Sequence, residues 1–124
     1  MTEPHPFRAA AEAKDVELMT EVLREDVVLH SPILFRGFEG REAVIQVITH
    51  VVATLEDFTY VDELADDRTV VLRFKARVED RELEGIDFLE LDEDGRVREL
   101  TVFMRPMSAL TRFNEQMSAR LGVA

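Results

Sequence analysis

The chain has 124 residues, 46% of them hydrophobic and 33% charged, with no cysteine and a formal net charge of −11. That size and balance fit one globular domain, residues 1–124, with its own core. Without cysteine there are no disulfides and no thiolate-ligated zinc or iron–sulfur sites, and an acidic surface with no Lys/Arg stripe argues against nucleic acid and anionic membranes as partners. No apolar run approaches the ~18 residues of a membrane helix. The start, MTEPHPFR, lacks the basic head and apolar core of a secretory signal, so a cytoplasmic protein is expected. No internal repeat or low-complexity stretch is present.

The segment PHPFRAAAEAKD opens with prolines suited to a first helical turn and continues as an alanine-rich run. His5 is expected to lie in a mobile start. Asp15 is placed to cap a second helix, VELMTEVLRED, with Val16, Met19, Val22 and Leu23 on one stripe. VVLHSP reads as a short strand stopped by Pro32, and ILFRGFEG as a loop with two glycines. REAVIQVITHVVATL is the strongest helix. Its Val44, Ile48, Val51 and Leu55 share one side, flanked by Val47 and Val52.

From Asp57 the period changes to two. DFTYVDEL is a strand and ADDR a turn. In TVVLRFKARV, Val70, Leu72, Phe74, Ala76 and Val78 face one way, and Val71, Arg73, Lys75 and Arg77 the other. EDRE turns the chain, LEGIDFLEL is a strand, DEDG a tight turn, and RVRELTVFMRP the last strand, ended by Pro106. Ser108 then caps a final helix with Leu110, Phe113, Met117 and Leu121 in line. Helices gathered on one face of a bent antiparallel sheet make an α+β fold rather than an alternating βαβ one.

AAEAKDVELMTEVLREDVVLHSP, GFEGREAV and GIDFLELDEDGRV together resemble the nuclear transport factor two-like superfamily, in its SnoaL-like and ketosteroid-isomerase-like branch. The resemblance spans nearly the whole chain. It implies a cystatin-like cone, in which a curved antiparallel sheet carries helices on its concave face and leaves a cavity between them. It also implies roles for three positions. Asp87, in GIDF, matches the acid that such isomerases keep protonated to donate a hydrogen bond to an oxyanion. Ser31, in LHSP, stands where they carry the general-base aspartate, and Phe7 where they carry an oxyanion-hole tyrosine. Serine does not shuttle a proton as a carboxylate does and phenylalanine has no donor, so ketosteroid isomerisation is not expected. Gly85 stands where the limonene-epoxide-hydrolase-like branch carries an arginine.

Asp87 shares a strand face with Leu83, Leu89 and Leu91. A buried carboxylate has to be paired, hydrogen-bonded or neutral. It is either an acid donating to a ligand carbonyl or a structural carboxylate tied to a tyrosine, an arginine or water. His30 and Ser31 are adjacent, so a regular strand turns only one inward. Parity with Leu29 favours Ser31, as a capping or ligand hydrogen-bonding group. His30 is either a general base facing Asp87 or a surface histidine. Tyr60 either brings its hydroxyl near Asp87 or packs as an aromatic with a wet tip. Phe74, Leu100, Val102 and Met104 form the apolar wall. His50 has no second ligand one helical turn away, and neither a metal nor a cofactor constellation is found. The expected ligand is a small hydrophobic molecule bearing a carbonyl or hydroxyl, with isomerisation, cyclisation or dehydration as the chemistry if it is turned over. On the outer sheet face, Ile86, Phe88 and Phe103 lie among charges of both signs. That pattern implies a two-fold homodimer packed sheet to sheet, unless the C-terminal helix folds back over this face. The alternative to a ligand-binding protein is a homodimeric scaffold whose cone is filled by its own side chains.

Overall fold

In the computed structural model, which describes residues 3–122, the elements run α1 (Pro6–Glu12), α2 (Val16–Val22), β1 (Leu23–His30), β2 (Phe38–Glu39), α3 (Arg41–Thr54), β3 (Glu56–Ala65), β4 (Thr69–Val78), β5 (Arg81–Leu91), β6 (Val97–Arg105) and α4 (Met107–Leu121). The strands form one sheet in the order β2-β1-β6-β5-β4-β3. β3 to β6 are an antiparallel meander, whereas β1 lies parallel to β6 and carries β2 on its far side.

The period-two pattern sets which face is buried. Val70, Leu72, Phe74, Ala76 and Val78 of β4 are all buried, while Arg73 and Lys75 are exposed. Registry then lines up inward rows across the sheet: Val70–Leu89–Leu100, Leu72–Asp87–Val102 and Phe74–Gly85–Met104. The helices pack on this face, with α3 against β1 and α4 against β4, β5 and β6. Register shifts between Leu23 and Val28 and between Tyr60 and Asp62 add the local bending that bulges bring to a sheet. At Gly85 a Cβ would lie 2.0 Å from the Phe103 carbonyl oxygen and 2.7 Å from Phe74 Cζ. The backbones meet there more closely than any side chain allows, and the Phe74 ring occupies the space.

On the outer face the rows are Val71–Phe88–Thr101, Arg73–Ile86–Phe103 and Lys75–Glu84–Arg105. Arg73 bridges Asp62 and Glu84 at 2.9 Å each, and Arg105 meets Glu84 at 2.6 Å. Phe103 is 53% exposed in the middle of this lattice.

The structure departs from the expected elements at four places. The second helix stops at Val22, because Leu23, Val27 and Leu29 are needed as the buried side of β1 beside β6. That pairing outweighs the helical preference of LRED. Phe38 and Glu39, expected in a loop, extend the sheet by pairing with Leu29 and Val28. Ser108 does not cap α4: Pro106 holds the N-cap position without a side-chain hydrogen bond. His5 is tied down, since its Nδ1 accepts from the Phe7 N–H at 3.1 Å and its Nε2 lies 2.8 Å from the Gly95 carbonyl. Asp15 does cap α2, accepting from the Leu18 N–H at 3.1 Å. No helix among the described residues is long and apolar enough to cross a membrane.

Candidate functional site

The helices do not fill the hollow of the sheet. A cavity of about 300 Å³ remains, walled by Phe74, Leu100, Val102 and Met104 from the sheet, Phe7 and Ala11 from α1, and Val47, Val51 and Val52 from α3. The loop Ser31–Leu34 and the α4 residues Phe113, Met117 and Leu121 complete the lining. The C-terminal helix therefore closes the cavity and leaves the outer sheet face bare.

Asp87 stands between Leu72 and Val102 in an inward row and is 7% exposed. Tyr60 Oη donates to its Oδ2 at 2.5 Å. Asp87 makes no other hydrogen bond among the described residues, yet no buried side-chain oxygen there is left without a partner. Its Oδ1 therefore faces the open space of the cavity that Asp87 lines.

Two sets of contacts aim the Tyr60 hydroxyl. Phe58 packs edge-on against its ring at 4.9 Å and stacks on Phe74 at 5.0 Å. β3 is an edge strand, and the outward backbone groups of Tyr60 would otherwise be unpaired. α1 satisfies both: the Glu12 carboxylate accepts from the Tyr60 N–H at 2.9 Å, and the Arg8 guanidinium donates to the Tyr60 carbonyl at 3.3 Å.

Burial pushes the Asp87 carboxyl up to about 7, and the hydroxyl donated by Tyr60 holds it from rising further. Tyr60 is raised well above its ordinary value, first by burial and then by the neighbouring carboxylate. The phenol thus stays protonated, and near neutral pH the carboxyl is divided between acid and carboxylate. As acid it presents an O–H to the cavity; as carboxylate it presents an acceptor.

The other expected site residues are distributed as follows. Phe7, Ser31, Phe74, Val102 and Met104 line the cavity with Tyr60 and Asp87. The Ser31 hydroxyl already accepts from the Ile33 and Leu34 N–H groups at 3.3 and 3.1 Å, so it shapes the loop. His30 does not face Asp87: strand alternation turns Leu29 inward and His30 outward, where its Nε2 lies 3.0 Å from Glu99 Oε2. His30 is thus removed as an opposing base. Leu89 is wholly enclosed between Val70 and Leu100 and does not line the cavity. The sequence reading missed Lys14, Asn114 and Ser118, which do line it. Asn114 and Ser118 lie one helical turn apart beside the Phe113–Met117–Leu121 stripe, a flank that stripe could have flagged. Lys14 follows the alanine-rich run just before a helix cap, where only the tertiary structure shows its reach. No cluster of His, Asp and Glu able to hold a metal ion occurs among the described residues.

Comparison with known proteins agrees with this geometry. No curated protein matches the chain. A crystal structure of a steroid delta-isomerase from Pseudomonas aeruginosa is 37% identical with a TM-score of 0.89, covering 94% of this chain and 86% of that one. An uncharacterised bacterial protein with a cystatin-like fold from Silicibacter pomeroyi is 26% identical with a TM-score of 0.90, covering 93% and 82%. A de novo designed protein with a curved β-sheet, 15% identical, reaches a TM-score of 0.71 over 91% of this chain and 96% of its own, and shares the fold alone. The family model described as SnoaL-like domain matches residues 6–100, and the chain belongs to that family, an α+β cone of the nuclear transport factor two-like superfamily.

Proposed function

We propose that the protein binds a small, mostly apolar molecule in its cavity and holds the molecule's carbonyl or hydroxyl oxygen against Asp87. The observation that carries this reading is the free Oδ1 of a buried carboxyl, aimed into apolar space while its partner oxygen is engaged by Tyr60. A lone polar point in an apolar pocket is how such sites fix the orientation of a ligand. The Pseudomonas relative is a steroid delta-isomerase, which supports an apolar, oxygen-bearing ligand class. Protonated Asp87 would polarise a bound carbonyl towards an enol-like state, the chemistry of isomerases, cyclases and dehydratases. Lys14, Tyr60 and Asp87 are the titratable side chains on the lining among the described residues, so no second carboxylate or histidine faces Asp87 to relay a proton. Binding and polarisation are therefore the centre of the proposal.

The test compares β-tetralone with tetralin, the same bicycle without its carbonyl, by titration calorimetry at pH 6. The ketone should bind about tenfold more tightly. That preference should vanish in Asp87→Leu and fade in the native protein above pH 7, as the donor proton is lost. An undiminished preference in Asp87→Leu would sink the assignment.

We also propose a homodimer formed through the outer sheet face. Ile86, Phe88 and Phe103 would be its apolar centre, and the Arg73–Glu84–Arg105 lattice would meet its own two-fold copy. Sedimentation should give a dimer that Phe103→Lys converts to monomer; a native monomer would refute it.

A further inference from the structure

Among the described residues, two acidic or basic side chains besides the Tyr60 phenol line the cavity: Asp87 and Lys14. We propose that Lys14 is the receptor for an anionic group, and that the ligand is an apolar carboxylic acid with its carboxylate at the rim and its carbonyl or hydroxyl at Asp87. This rests on the reading that the cavity takes an apolar, oxygen-bearing molecule.

Three observations set Lys14 apart. First, it is the cation on the cavity lining among the described residues, and no carboxylate there pairs with it. Second, Lys14 sits in the left-handed region at φ 56°, just past the end of α1, where Lys14 N–H bonds the Ala11 carbonyl and Asp15 N–H the Ala10 carbonyl. Glycine or asparagine is the ordinary residue at such a helix end. A lysine there accepts backbone strain and projects a long side chain towards α3. Third, its Nζ reaches the Leu55 carbonyl at 3.3 Å, beside the end of α3, and Leu55 itself lines the cavity. One ammonium hydrogen is engaged and two are unassigned. Thr54 Oγ1, which donates to the His50 carbonyl at 2.7 Å, lies 3.6 Å from Met117 Sδ, so α4 packs against this end of α3, and Ser118 adds a hydroxyl to the same lining. Lys14 is exposed, so a carboxylate here would meet a cation at the mouth of the cavity, where solvent screens the contact and keeps the gain modest.

The competing account is that Lys14 only satisfies the carbonyl of Leu55, the C-cap of α3, which would affect stability and nothing else. Two fluorescent probes separate the accounts. N-phenyl-1-naphthylamine and 1-anilinonaphthalene-8-sulfonate share one apolar body, and only the second carries an anion. Titrated at pH 6 and low salt, the sulfonate should bind the native protein about fivefold more tightly than the neutral probe. Lys14→Met should abolish that ratio and leave the neutral probe's affinity within about twofold, which also shows the variant is folded; Lys14→Arg should retain most of the preference. A ratio unchanged in Lys14→Met, with the neutral probe still displaced by β-tetralone, overturns the anion site and leaves the cavity reading standing. A neutral probe that does not bind, or that β-tetralone does not displace, overturns both.

Discussion

Replacing Asp87 with asparagine should make the protein more stable at neutral and alkaline pH, by an amount that grows with pH. The unfolded carboxyl titrates near 3.8, and burial raises it to about 7 in the fold. The folded state therefore holds this proton more tightly than the unfolded state does. That contribution to stability is complete below pH 3.8 and is lost as pH rises to about 7. At ~1.4 kcal/mol per pKa unit, the loss approaches ~4 kcal/mol by pH 8. Asparagine does not ionise, and its amide oxygen still accepts from Tyr60, so the variant escapes the loss. Urea unfolding of both proteins from pH 5.5 to 8.5 avoids the isoelectric region near 4.7, where solubility is lowest. Subtracting the two curves cancels the other titrating groups. The advantage of the variant should widen by ~2 kcal/mol across that range, the rest having developed at lower pH. A difference that stays flat, or an asparagine variant less stable than the native protein at pH 8, would refute the claim that the carboxyl is buried and held by one hydroxyl.

Three further substitutions probe the same geometry. Tyr60→Phe removes the hydrogen bond that holds Asp87 down, so the carboxyl should titrate above 7 in a carbon-detected NMR titration; an unchanged midpoint would place the hydroxyl elsewhere. Gly85→Ala sets a methyl 2.0 Å from the Phe103 carbonyl oxygen and should lose ~3 kcal/mol or more in urea unfolding, since a backbone atom cannot step aside as a side-chain tip can. His30→Gln loses only a half-exposed pair with Glu99 and should change stability by less than ~1 kcal/mol, with β-tetralone binding unaltered; a lost binding site would return His30 to the cavity.

The middle of the meander was legible because the alternation of β4 is unbroken. Val70 to Val78 shows which face is buried, and Asp87 follows by parity from Leu83 and Leu89. Parity also separated His30 from Leu29, and it put Ile86, Phe88 and Phe103 together on the outside. What was hidden depended on partners distant in sequence. LRED has helical local character and becomes strand only because β6, some seventy residues on, offers an edge. Leu89 has the right parity for the lining, but parity gives a face and not a depth, and its neighbours enclose it completely. The hydrogen bond between Tyr60 and Asp87 was one of several partners open to a buried carboxylate; the aromatic packing and the α1 side chains that select it come from separate elements. Lys14 belongs to no periodic pattern, and its reach to Leu55 exists only once α1 and α3 are docked.

The parallel seam between β1 and β6 also constrains assembly in time. Every other strand neighbour in the sheet is reached through a connection that is short compared with this one, so β3 to β6 can zip up locally, whereas β1 must wait for a partner made near the end of the chain. During synthesis the first thirty residues emerge long before that partner exists, with Leu23, Val27 and Leu29 unsheltered. Closing the hollow therefore depends on the pairing in this sheet that spans the most sequence.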